Sequence, residues 1–191
     1  MLEWTVVIPV KGTPDAKSRL GASPALVRAI AVDTVAAVTS LEASRVIVVT
    51  SPAAAPDFES LGATVIPDTA TSLNSAIALG IAAAGDGPVA VLLGDLPALL
   101  PAELAAALKL AAGHPLAMVP DADDTGTVLI TALRAADHAP AFGANSRALH
   151  SAAGYVELDL PADFGLRRDV DTPEQLAALA SRLSPHTRTL L

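Results

Sequence analysis

Charged residues at three places in this 191-residue chain have the types and spacing for phosphate chemistry. The first is a lone carboxylate. Val91-Leu92-Leu93 runs into Gly94-Asp95-Leu96-Pro97, so an apolar run stops abruptly and Asp95 follows. A run of this kind is expected to be a buried parallel strand, and open α/β sheets bind ligands in the crevice at the carboxyl ends of their strands. An acid there can hold a divalent metal on a nucleotide phosphate; the plainer alternative is a polar residue in the turn that leaves the strand. The second place is cationic. Lys11, Lys17 and Arg19 fall within nine residues after the first apolar run, spaced by Gly12 and Pro14. Such a loop can cradle phosphates, with lysine as a point charge and arginine gripping two oxygens; a solvated basic loop is the alternative. The third is Asp169-Val170-Asp171-Thr172-Pro173, two carboxylates just before a helix start. They suit a metal, or they simply complement the helix dipole.

The elements that must position these residues alternate. Strand patterns cover residues 5–10, 45–50, 64–66, 89–93, 116–120, 127–132 and 155–158. Helix patterns cover residues 54–61, 73–84, 101–112 and 145–153, with others from Ser23-Pro24 to about residue 40 and over residues 173–183. Ser23-Pro24 supplies an N-cap and a proline at the first helical position. Gly85 and Gly113 close two of the helices, and Thr172-Pro173-Glu174-Gln175 has the capping-box spacing. This alternation implies an α/β domain with a mostly parallel sheet and helices on both faces. A single domain over residues 1–184 is expected. Residues 121–165 are less regular and suit a substrate lobe, and residues 185–191 are expected to fray.

Composition narrows the class. With 52% hydrophobic residues the chain can fill a sizeable core, and its net charge of −8 with 3% aromatics argues against nucleic-acid binding. An anionic substrate must therefore be held by a few local cations and a metal. The absence of cysteine excludes thiolate metal sites and cysteine nucleophiles and suits a reducing compartment such as the cytoplasm. The start, Met1-Leu2-Glu3-Trp4, lacks a basic region or cleavage site, so no signal peptide is expected. No apolar run is long enough to span a bilayer. The P-loop and the dinucleotide fingerprint are both missing.

Several motifs then occur in a telling order: Val7-Ile8-Pro9-Val10-Lys11, Ala16-Lys17-Ser18-Arg19-Leu20, Leu73-Asn74-Ser75-Ala76-Ile77, Leu93-Gly94-Asp95-Leu96-Pro97, Thr125-Gly126-Thr127, Phe142-Gly143 with Ser146 and His150, and Asp169-Val170-Asp171-Thr172-Pro173. From about residue 5 to residue 180 the chain resembles the phosphoenolpyruvate/2-phospho-L-lactate guanylyltransferase family, nucleotidyltransferases that make the activated precursor of the deazaflavin coenzyme F-420. The first-strand loop, the Gly-Asp strand end and the Asp-Thr-Pro turn are shared widely among nucleotidyltransferases. Ala-Lys-Ser-Arg-Leu, Thr-Gly-Thr and the Phe-Gly segment with its Ser and His are more specific.

The resemblance implies a Rossmann-like, GT-A-like fold, a GTP substrate and Mg²⁺. By resemblance, Lys17 and Lys11 bind the nucleotide triphosphate and Asn74 serves the nucleotide side. Asp95 and Asp171 hold Mg²⁺, with Asp169 as the alternative to Asp171. Thr127, Gly143 and Ser146 hold the carboxylate and phosphate of the small acid. His150, one turn beyond Ser146, fits a surface position. The family usually has Gly where this chain has Ser72 and Asp124, and Pro-Gly where it has Ala144-Asn145. Other readings are a molybdopterin or sugar-phosphate nucleotidyltransferase and, more remotely, a non-catalytic nucleotide-binding regulator. The choice between phosphoenolpyruvate and 2-phospho-L-lactate stays open, with a lean to the former.

Overall fold

The computed structural model describes residues 2–11, 20–41 and 44–191. Lys17 and Arg19 lie outside the described residues. Seven strands, β1 (Trp4–Pro9), β2 (Ser44–Thr50), β3 (Thr64–Pro67), β4 (Val89–Leu92), β5 (Leu116–Pro120), β6 (Thr127–Ala132) and β7 (Val156–Glu157), form one sheet in the order β3-β2-β1-β4-β6-β5-β7. Among the described residues seven α-helices accompany them: α1 (Pro24–Thr39), α2 (Ala55–Glu59), α3 (Leu73–Ala84), α4 (Pro101–Ala111), α5 (Ser146–Ala152), α6 (Pro173–Ala178) and α7 (Pro185–Thr189). The expected α/β domain with a mostly parallel sheet is what the chain forms.

Strands β3, β2, β1 and β4 are parallel, and β6 alone reverses, pairing antiparallel with both β4 and β5. β1 is buried on both faces, as its unbroken Val-Val-Ile run requires. Val6 and Ile8 join the core shared with α1 and α4, while Val7 faces the opposite core beneath α3. Helix α3 lies close to that face because its Gly80 has no side chain; a Cβ there would strike Val7. Residues 121–165 do not form a separate lobe, since they supply β6 and β7 to the common sheet.

The C-terminal stretch departs from expectation. The last predicted helix stops at Ala178, and Ser184 then donates its N–H to the Pro97 carbonyl at 2.9 Å. Residues 185–189 form α7 instead of fraying. The reason is Asp33 on α1, only 4% exposed. Its carboxylate accepts the His186 and Thr187 N–H groups at 3.1 and 2.7 Å and pairs with His186 Nδ1 at 2.8 Å. Backbone donors at a helix start satisfy a buried carboxylate well, but the partners are 153 and 154 residues apart, beyond any local pattern.

Candidate active site

The carboxyl ends of β1 and β4 open into a cavity of about 220 Å³ lined by Lys11, Gly94, Asp95 and Asp171, with Leu73 and Ile30 among its apolar walls. The strand-end reading of Asp95 therefore holds. Its backbone is pinned on two sides. The neighbouring Leu96 N–H donates to Thr34 Oγ1 at 3.0 Å, and the Asp95 carbonyl accepts the Val170 N–H at 3.2 Å. That second bond brings the distant Asp169-Val170-Asp171 run against the strand end. Val170 is fully buried; Asp171 lines the cavity, whereas Asp169 does not. The capping box forms as its spacing predicts: Thr172 Oγ1 accepts the Gln175 N–H, and Gln175 Oε1 accepts the N–H groups of Asp171 and Thr172 at 2.8 and 3.0 Å.

A residue that sequence reasoning missed carries this segment. Glu103, in the first turn of α4 and 6% exposed, accepts the N–H groups of Gly165 and Leu166 at 3.0 Å each and that of Leu100 at 3.3 Å, and it pairs with Arg182 at 3.2 Å. An acid in a first helical turn has a purely local explanation, so nothing in the sequence announces its reach across 62 residues.

The residues assigned to the small acid assemble around the start of α5. Because β6 runs antiparallel to β4, its first residue lies at the same sheet edge as Asp95; the Leu93 N–H donates to the Val128 carbonyl at 3.0 Å, next to Thr127. Ser146, the first residue of α5, and Thr127 are each 2% exposed. Gly143 sits in the loop before α5 at φ 132°, where a Cβ would meet no atom within 4 Å. The backbone conformation, not crowding, demands glycine there. At Gly126 the demand is crowding: Asp121 accepts the Thr125 and Gly126 N–H groups at 3.0 and 2.7 Å, and a Cβ would strike its carboxylate.

Asn74 links the two sides. Its amide nitrogen donates to the Phe142 carbonyl at 3.0 Å, and its amide oxygen accepts the Phe142 N–H at 2.9 Å. The side chain assigned to the nucleotide side thus anchors the loop that carries Gly143, one residue beyond cavity-lining Leu73.

Positions where this chain lacks the family's usual glycine explain themselves. Asp124 and Asn145 adopt left-handed backbone at φ 57° and 58°, the conformation that Asp and Asn tolerate best after glycine. Arg147 and Arg167 add support: Arg167 reaches the Asp121 carbonyl at 3.0 Å and the Asp124 carboxylate at 2.7 Å, and Arg147 donates to the Asp124 carbonyl at 2.9 Å. Ser72 caps α3, accepting the Ser75 N–H at 3.1 Å.

His150 is not a surface residue. It is fully buried, edge-on to the Phe142 and Tyr155 rings with centroids 5.0 and 5.3 Å away. Its Nε2 accepts the Ala141 N–H at 2.9 Å, so in the neutral ring the proton sits on Nδ1, which donates to Thr127 Oγ1 at 3.1 Å. Burial, helped by nearby His138, pushes its pKa down to about 4, so the ring is neutral at pH 7. His138 is lowered by burial too; it bonds the Val89 carbonyl through Nε2 and the Tyr155 hydroxyl through Nδ1, both at 3.1 Å.

Comparison with known proteins gives the family and the fold. Residues 21–157 match the MobA-like NTP transferase domain family. The chain is 46% identical to the phosphoenolpyruvate guanylyltransferase of Streptomyces coelicolor, covering 97% of this chain and 94% of that protein. It is 48% identical to the phosphoenolpyruvate guanylyltransferase of Salinispora arenicola, covering 98% and 92%. The chain belongs to the phosphoenolpyruvate guanylyltransferase family. Its fold matches that of a nucleotidyl transferase from Methanothermobacter, with a TM-score of 0.67 over 98% of this chain and 99% of that one at 21% identity. In this guanylyltransferase family member, the sheet edge holds two chemically distinct halves: carboxylates and a lysine around one cavity, and hydroxyls, amides and a neutral imidazole beside the loop that Asn74 anchors. Among the described residues, no group of three or more His, Cys, Asp or Glu side chains is poised to hold a metal ion. No helix among them is long and apolar enough to cross a membrane.

Proposed function

We propose that this protein joins GMP from GTP to phosphoenolpyruvate, releasing pyrophosphate, as the activating step toward deazaflavin coenzyme F-420 in the cytoplasm. The observation that carries the reading is the reversal of β6, which brings Thr127 to the sheet edge where Asp95, Asp171 and Lys11 share a cavity. Two anionic substrates can then meet at one edge, each with its own kind of binding group.

In the reaction, a phosphate oxygen of the acid attacks the α-phosphorus of GTP, an O–P bond forms, and the bond to the β-phosphate oxygen breaks as pyrophosphate leaves. No covalent nucleophile is needed, which suits a chain without cysteine. Catalysis is then positioning and charge neutralisation. The donor set fits Mg²⁺: two carboxylates, Asp95 and Asp171, are hard oxygen ligands, and this cation commonly takes one or two carboxylates with substrate phosphates completing its shell. When bound, Mg²⁺ supplies positive charge that lets the two anions approach and stabilises the developing charge. Lys11, with Lys17 by family resemblance, holds the triphosphate. Asp95 is kept at the strand end by the Leu96 and Val170 backbone bonds, and Asp171 by the capping box behind it. Thr127, Ser146 and the backbone at Gly143 grip the acid without adding net charge to an acidic protein.

The test is pyrophosphate release with Mg²⁺, GTP and a panel of phosphorylated acids. Release that requires GTP and is fastest with phosphoenolpyruvate is expected. No release with any phosphorylated acid, or faster release with CTP than with GTP, would overturn the reading.

A further inference from the structure

We propose that His150 is the positioning residue of the acid-binding half, a neutral imidazole that sets both the proton direction of the Thr127 hydroxyl and the path of the loop carrying Gly143. The proposal rests on the assignment of Thr127, Gly143 and Ser146 to the phosphorylated acid. The strand β6, the loop before α5 and α5 itself meet at this one ring. Ser146 stands one turn before it on α5, where residues four apart share a face. Thr127 is bonded to Nδ1 at 3.1 Å, and the Ala141 N–H to Nε2 at 2.9 Å, two residues before Gly143.

The direction of these bonds matters more than their number. A backbone N–H can only donate, so Nε2 must accept, and the ring proton is fixed on Nδ1. Thr127 Oγ1 therefore accepts from the ring and keeps its own proton to donate. An oriented hydroxyl donor suits a carboxylate or phosphate oxygen, which can only accept; it disfavours a ligand group that must itself donate. The Phe142 and Tyr155 rings hold the imidazole edge-on, so it cannot turn over without disturbing both. On the far side of the loop, Asn74 grips Phe142 through both amide atoms. The segment 141–143 is thus fixed from α5 by His150 and from α3 by Asn74.

The experiment is a double-substitution cycle in steady-state kinetics, with phosphoenolpyruvate and GTP varied separately and folding checked by thermal melting. His150→Phe keeps an aromatic ring of similar size and removes both hydrogen bonds. It is expected to raise KM for phosphoenolpyruvate about tenfold or more, with KM for GTP changed less than about twofold. Thr127→Val should raise the same KM about tenfold. The doubly substituted protein should show less than the product of the two single effects, because one of the bonds lost is shared. His150→Gln, whose amide can both donate and accept, should recover part of the loss, and it carries the test if His150→Phe does not fold. If both substitutions at 150 leave KM for phosphoenolpyruvate unchanged while Thr127→Val raises it, or if the two effects multiply fully, the positioning role is wrong and the acid-site assignment stands. An unchanged KM in Thr127→Val overturns the acid-site assignment itself and the proposal with it.

Discussion

The two halves of the site sit at one sheet edge and are built by opposite means. Around Asp95 the working groups are charged and reach a cavity open to solvent, and rigidity comes from backbone bonds behind them: Leu96 to Thr34, Val170 to Asp95, and Gly165 and Leu166 to Glu103. Around Thr127 the groups are uncharged, with Thr127 and Ser146 buried, and rigidity comes from side chains bonding the working parts directly, His150 to Thr127 and Asn74 to Phe142. Under the proposed function the difference follows from what each half would handle. Charge development on a triphosphate calls for cations and for carboxylates able to recruit one. Recognition of a small acid calls for oriented donors that add no repulsion in a chain of net charge −8.

The largest effect is expected on the charged side. Asp95→Asn keeps the shape of the side chain and removes its charge. Turnover should fall about 10³-fold, equivalent to roughly 4 kcal/mol of transition-state stabilisation, with a melting temperature close to that of the parent protein. Unchanged turnover in a folded Asp95→Asn protein would erase the distinction between the halves.

Next is the segment behind Asp171. Glu103→Ala leaves the N–H groups of Gly165, Leu166 and Leu100 without their acceptor, a loss of about 3 kcal/mol in stability by denaturant titration. Because this support serves the charged half, turnover should fall further than KM for phosphoenolpyruvate rises; a rise in that KM alone would place the support on the wrong half. Lys17→Ala should raise KM for GTP about tenfold, as expected for a lost charged hydrogen bond, while Lys109→Ala, on α4, should do little. Equal small effects from the two lysines would remove Lys17 from the charged half.

The smallest effect belongs to the neutral half. His150 titrates near 4 when folded, pushed down by burial, against about 6.5 in an unfolded chain. Between those values the unfolded chain binds more protons, so stability is intact above pH 6.5 and falls as the pH drops toward 4. Buried His138 acts in the same direction. Melting curves from pH 7 to 4 should show a shallower decline for His150→Phe than for the parent protein; identical slopes would mean that His150 is not held neutral by the fold.

The charged half was the more legible in the sequence. Asp95 announces itself because a fully apolar strand ends in Gly-Asp, and the Asp-Thr-Pro turn carries its own capping pattern, so both signals are local. Which of Asp169 and Asp171 lines the cavity is not written in that local pattern; Val170 between them packs with the α1 and α6 residues Ile30 and Leu176, and Asp171 is the one that lines the cavity. The neutral half was legible only through family resemblance. A histidine on a short helix has no pattern that marks it as buried; His150 is fixed by Thr127, 23 residues away, and by the Ala141 backbone. Asn74 lies at a helix start, where Asn is ordinary, and its partner is 68 residues distant. The C-terminal helix shows the same limit: Pro185-His186-Thr187-Arg188-Thr189 is polar and short, and its place comes from distant partners such as Asp33 on α1, 154 residues from Thr187.

The division of labour between the halves is tested most directly by two-substrate steady-state kinetics on Ser146→Ala and Asp171→Asn measured side by side. Ser146→Ala is expected to raise KM for phosphoenolpyruvate about tenfold to a hundredfold, the worth of a buried hydrogen bond to a charged group, with KM for GTP nearly unchanged. Asp171→Asn is expected to lower kcat with little change in KM for phosphoenolpyruvate. If Ser146→Ala affects GTP alone, or if both substitutions shift the same constants by the same factors, the two halves do not hold the two substrates as described.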